Sequence, residues 1–89
     1  MIMTRYVMLI LVGSRKEAAE KVQKILTGWG CFVKTRLGIH DDVLDHCSQS
    51  GLIFLELQGD FDHMKEIEHK LNLIQSVDAK LITLSTEKA

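Results

Sequence analysis

The chain has 89 residues, 46% hydrophobic and 26% charged, with a formal net charge of −1. That apolar content excludes a disordered chain and suffices for one core without metal or disulfide staples. The near-neutral, interspersed charge argues against nucleic acid or an anionic membrane as partner, and two cysteines with no proline fit a reducing, cytoplasmic setting.

The longest apolar run, Val7 to Val12, has six residues, where a membrane span needs about twenty. Arg5 ahead of it hints at a signal peptide, but the run is short for an h-region and no small-residue cleavage site follows. It reads instead as a strand over Tyr6–Val12, apolar at both parities, covered on both sides and stopped by Gly13. Ser14-Arg15-Lys16-Glu17 has the S-x-x-E form of a capping box. Ala18, Ala19, Val22, Ile25, Leu26 and Trp29 follow at spacings of three and four, the stripe of an amphipathic helix. Gly28 and Gly30 are expected to end that helix in the left-handed conformation.

Cys31, Val33, Thr35, Leu37 and Ile39 then alternate with Phe32, Lys34, Arg36 and Gly38. The period of two predicts a half-buried strand whose second face carries both cations. His40 to Ser50 is polar and reads as a loop, and Leu52–Leu57 is a third strand, apolar at both parities except for Glu56. Gly59-Asp60 ends it and supplies an N-cap. Phe61, Met64, Ile67, Leu71 and Ile74 mark a second amphipathic helix. Val77–Leu84 is the last strand, ahead of the charged tail Glu87-Lys88-Ala89.

The order β-α-β-β-α-β predicts one α+β domain over residues 1–89. With right-handed crossovers it is a ferredoxin-like sandwich, a four-stranded antiparallel sheet with two helices on one face. The first and third strands then lie at the sheet centre, and their other face has nothing to cover it. A large uncovered apolar patch marks a protein interface more often than a shielded monomer surface. The expectation is a homo-oligomer, dimer or tetramer, joined through Met8, Ile10, Leu52 and Phe54.

Arg5-Tyr6, Ser14-Arg15-Lys16-Glu17-Ala18, Thr35-Arg36-Leu37-Gly38-Ile39 and Gly51-Leu52-Ile53-Phe54-Leu55-Glu56-Leu57 carry a resemblance, together with Lys70-Leu71 and Val77-Asp78-Ala79-Lys80. Over nearly the whole chain these segments resemble the small bacterial family named as regulators of the iron-only hydrogenase system. Its structural relatives are ACT-like domains and the effector domain of the nickel-responsive regulator. The resemblance implies a ferredoxin-like, ACT-like fold, oligomerisation and a regulatory role without catalysis. The nickel-responsive regulator has a DNA-binding segment ahead of its effector domain; here the first strand begins near residue 4, leaving no room for one.

Arg36 and Lys34 suit an anion, although a cross-strand pairing with Glu56, worth ~0.2–1 kcal/mol, also accounts for them. ACT-like domains hold small effectors near strand edges at subunit interfaces. By that resemblance Arg36, Gly38 and His40, where the second strand leaves the sheet, are the first candidates for effector contact. Ser14 and Arg15 join them because a helix N-terminus favours an anion, although a capping box alone explains Ser14. The D-x-P-G turn common among amino-acid-binding ACT domains is absent, which counts against an amino-acid effector.

The loop offers a different chemistry. His40, His46 and Cys47 are imidazole and thiolate ligands suited to nickel or zinc. Adjacent His46 and Cys47 chelate one ion poorly, and a solvated loop explains the same residues. His63, Glu66 and Lys70 share a helix face, but pairs at three and four are ordinary surface decoration. With no P-loop or G-x-S-x-G motif, the chain reads as a sensor and not as an enzyme. An effector would shift its assembly only through differential affinity for two arrangements.

Overall fold

The elements follow the expected order: β1 (Thr4–Val12), α1 (Lys16–Gly28), a 3₁₀ turn (Gly30–Phe32), β2 (Val33–His40), β3 (Gly51–Leu57), α2 (Phe61–Asn72) and β4 (Val77–Ser85). The computed structural model describes residues 1–13, 16–40 and 51–87, leaving aside the side chains of residues 16, 31 and 38–40. The strands form one sheet in the order β2-β3-β1-β4, every neighbouring pair antiparallel. The units β1-α1-β2 and β3-α2-β4 are thus interleaved, which is the ferredoxin-like βαββαβ fold with β1 and β3 at the centre.

Register decides which parity of β1 meets the helices. Met8 lies opposite Leu55 and Leu81, and Ile10 opposite Ile53 and Ala79. These residues join Val22 and Leu26 of α1 and Met64, Ile67 and Leu71 of α2 in one core. Each such large side chain contributes ~1.5–3 kcal/mol by leaving water. Met8 and Ile10 are 0% exposed. They are core residues and cannot meet a second subunit, contrary to the interface read from sequence. Leu52 and Phe54 do lie on the other face, opposite Leu11 and Leu9. β1 is also covered on one side only, not on both.

Two further expectations are corrected. Among the described glycines only Gly59 has a positive φ, +101°. α1 therefore does not end in a left-handed glycine: the Trp29 N–H donates to the Ile25 and Leu26 carbonyls at 3.2 and 3.3 Å, and the chain tightens into the 3₁₀ turn. The strict alternation of β2 also fails, because a bulge falls between Val33 and Thr35. A bulge adds one residue to one strand and so changes which face the later side chains take. Val33 packs against the core, whereas Thr35 and Leu37 lie opposite Glu56 and Phe54 on the uncovered face. Arg36 moves to the parity of Leu55, so Lys34 and Arg36 do not form one cationic face.

α2 begins as expected, with the Asp60 carboxylate accepting the Asp62 N–H at 2.9 Å. It ends at Asn72, not at Ile74, and Asn72 explains what holds it to the sheet. The Asn72 side chain donates to the Ala79 carbonyl at 2.9 Å and accepts its N–H at 2.8 Å, and Glu68 accepts the Leu81 N–H at 2.6 Å. Three outward-pointing main-chain groups of the edge strand β4 are thereby satisfied by helix side chains. At the same end of the sheet the Gly13 N–H donates to the Ser76 carbonyl at 2.8 Å. A Cβ at Gly13 would lie 2.9 Å from the Ser76 Cβ and 3.1 Å from its carbonyl oxygen, so this approach needs glycine.

Gly13→Ala is expected to lose ~1–3 kcal/mol of stability through this overlap, read from the urea midpoint. Asn72→Ala, which strands the polar groups of buried Ala79, should lose a similar ~1–3 kcal/mol. An unchanged midpoint for Asn72→Ala would show that the clamp contributes nothing.

Candidate functional site

The face that the helices leave uncovered is built from one parity of each strand. Across its middle run Leu37, Phe54, Leu9 and Lys80; toward one end lie Leu52, Leu11 and Asp78, and toward the other Thr35, Glu56, Val7 and Ile82. Arg5 and Leu84 follow as the next cross-strand pair. Leu11, Leu37 and Leu84 are each more than half exposed. An apolar band therefore crosses the sheet between two charged corners. Lys80 and Asp78 pair at 3.5 Å at one corner, and Arg5, Lys34 and Glu56 gather at the other. An apolar patch with a polar rim is the ordinary form of an interaction surface.

The second corner has a defined geometry. Arg5 Nη1 donates to Glu56 Oε2 at 3.1 Å and to Oε1 at 3.5 Å, and Lys34 Nζ stands 4.0 Å from Oε2. The Glu56 side chain is 18% exposed and that of Arg5 54%. Beside them is an open concavity of about 460 Å³ with Val7, Phe54 and Leu84 as its apolar walls. Met3, Ser85 and Thr86 complete it where β1 and β4 close. There the Thr86 N–H donates to the Met3 carbonyl and the Met3 N–H to Thr86 Oγ1, both at 2.9 Å. A smaller, more polar hollow of about 250 Å³ lies on the other side of the same Arg5–Glu56 pair, reaching Lys34 and Gln58.

Of the candidates read from sequence, the end of β2 at His40 lies at the opposite end. His40 pairs with Gly51, Gly51 with Val12, and Val12 with Val77. The end of β2 and the β1–α1 junction thus share one end of the sheet, about 10 Å apart across two strand spacings. Arg36, exposed on β2, is not at that end: it lies opposite Leu55, one step from the Thr35–Glu56 pair but on the other parity, and Gly38 lies opposite Ile53 between the two ends. Ser14, Arg15, His46 and Cys47 lie outside the described residues, so the effector set and the nickel or zinc set each rest on residues the structure does not describe. Among the described residues no three His, Cys, Asp or Glu side chains gather into a metal site.

The helix-face trio behaves differently from a surface row. Glu66 pairs with Lys70 at 3.4 Å, while the half-buried His63 ring lies 5.1 Å from Phe32 and 5.6 Å from Trp29. Lys70 Nζ also sits 5.3 Å from the Trp29 ring centre, within cation–π range. No His63–Glu66 acid–base pair forms. Sequence reasoning missed Arg5 as a site residue. Its signal was a cation opening one apolar strand and an acid near the end of another, and only the register brings the two together.

No protein-family model and no curated protein matches this chain. Among solved structures, the uncharacterised protein TM1266 from Thermotoga maritima is similar at 25% identity and a TM-score of 0.76, over 94% of this chain and 99% of that one. CPII of Thiomonas intermedia K12, a nitrogen regulatory PII-like protein, is similar at 14% identity and a TM-score of 0.52, over 100% and 99% of the two chains. A formyltetrahydrofolate deformylase from Pseudomonas putida KT2440 has a TM-score of 0.54 at 13% identity, with 88% of this chain on 28% of that one. These likenesses establish a fold shared with small PII-like and ACT-like domains. Among the described residues no helix is long and apolar enough to cross a membrane.

Exposed ion pairs contribute ~0.2–1 kcal/mol. Arg5→Gln should therefore keep the urea midpoint within that amount of the parent chain. A larger loss would mean that the Arg5–Glu56 corner holds the fold together.

Proposed function

We propose that this chain is a homo-oligomeric regulatory module that acts by binding and performs no catalysis, with a small effector held at a subunit boundary. The observation that carries the reading is the apolar band of Val7, Leu9, Leu11, Leu52, Phe54, Ile82 and Leu84 on a face no helix covers. A second copy of the chain is its natural cover, since the two faces would be alike in chemistry and self-complementary about a two-fold axis. The β4 edge supports joining by faces: its outward groups at Ala79 and Leu81 are already taken by Asn72 and Glu68. The regulatory part draws support from the fold shared with CPII, a regulatory protein by name. The sequence resemblance points to an iron-only hydrogenase system as the setting. The absence of catalysis is supported by His63 lying among aromatic rings, apart from Glu66.

Native mass spectrometry of untagged protein under reducing conditions tests the assembly. A dimer or tetramer is expected, and a clean monomer would contradict the reading. Phe54→Glu should shift the assembly to monomer by placing a charge in the middle of the band. Leu73→Glu, at an exposed position beyond α2, should leave the mass unchanged. If both variants keep the parent mass, the open face is not the interface.

A further inference from the structure

The geometry points to the concavity beside Arg5 as a binding site for a small organic monoanion, a carboxylate on an apolar body. The inference deepens the proposed effector reading by giving the effector a site and a chemical class. It places that site at the opposite end of the sheet from His40 and on the other strand parity from Arg36.

The charge arithmetic at this corner leaves a surplus. Two cations, Arg5 and Lys34, converge on one carboxylate, Glu56, so the corner carries a net charge of +1. Glu56 engages only Nη1 of the guanidinium. An arginine has five N–H donors in a rigid plane, and the Nε and Nη2 donors remain for a second acceptor. Glu56 thus acts as a positioning residue, holding the guanidinium in place without using its whole donor set. Carboxylates suit such an edge because two parallel N–H···O bonds match their geometry.

The apolar part of the ligand follows from the walls. Val7, Phe54 and Leu84 offer no polar side-chain group, and the volume of about 460 Å³ lies within the ~300–1,000 Å³ of small-molecule sites. The Thr86–Met3 hydrogen bonds tie down the far wall where the strands end, so the hollow exists before a ligand enters. A purely apolar ligand would leave the guanidinium edge unused, and a cation would meet the surplus positive charge. Phe54 belongs both to this wall and to the apolar band, so a ligand here would touch the interface and could bias assembly.

The test is titration calorimetry of the full chain with octanoate, octanamide and octylamine, with the oligomer mass measured on the same samples. Octanoate should bind once per chain, at least tenfold tighter than octanamide. Arg5→Gln should weaken octanoate binding at least tenfold without changing the oligomer mass, and Lys34→Gln should weaken it less. Tighter binding of octylamine would overturn the anion assignment, and octanoate binding that Arg5→Gln and Lys34→Gln leave untouched would overturn the location. An intact oligomer that binds none of the three overturns this site while the assembly reading stands. A monomer that binds octanoate through Arg5 overturns the assembly reading and upholds the site. If Arg5→Gln fails to fold, Leu84→Glu decides in its place: Leu84 is an exposed wall of the hollow, a carboxylate there should weaken octanoate at least tenfold, and unchanged binding would overturn the location.

Discussion

A four-stranded sheet has two faces, and two short helices can cover only one of them. In this chain that limit falls on β1, which lies between β3 and β4 and is apolar at both parities. Met8, Ile10 and Val12 go under the helices and close the core with Leu55, Met64 and Ile67. Val7, Leu9 and Leu11 are then turned outward by the alternation of the strand itself. The interior and the sticky exterior are thus two halves of one strand, and neither can be altered independently of the other's register.

Edges and corners show where this fold limits promiscuous pairing. An edge strand with free amides is a template for another chain. β4 escapes that at Ala79 and Leu81 because Asn72 and Glu68 of α2 accept their N–H groups. The same contacts anchor α2 over the core, so one pair of polar side chains both docks the helix and blunts the edge. Among the described residues of the open face, charge lies on the β4 edge at Asp78 and Lys80 and at the Arg5–Lys34–Glu56 corner. That placement leaves the middle of the two central strands to the apolar pair Leu9 and Phe54.

A fold of this kind hosts many activities, and its shape alone assigns none. What distinguishes this chain is the content of the uncovered face. On the helix side, the His63 ring packs against Trp29 and Phe32, Glu66 pairs with Lys70, and Glu68 accepts the Leu81 N–H. The Arg5 corner combines guanidinium donors beyond the Nη1 that Glu56 engages with an adjoining apolar hollow. The charged corner and the apolar band therefore meet on one surface.

The local patterns of the chain already specified its elements. Spacings of three and four at Ala18–Leu26 and Met64–Leu71 define the two helices, Asp60 caps the second, and the βαββαβ order leads to the sheet topology. These features depend on neighbours in the chain, and periodicity records them directly. Which parity of β1 lies inside could not be read in the same way, because Val7, Leu9 and Leu11 are as apolar as Met8, Ile10 and Val12. Only the pairing with β3 and the seating of the helices break that tie, and they send Met8 and Ile10 to the core. The bulge after Val33 likewise turns Leu37 outward and separates Lys34 from Arg36, although the sequence alternates without interruption. The Arg5–Glu56 corner joins residues 51 positions apart, a proximity that comes from strand register and that no local pattern encodes.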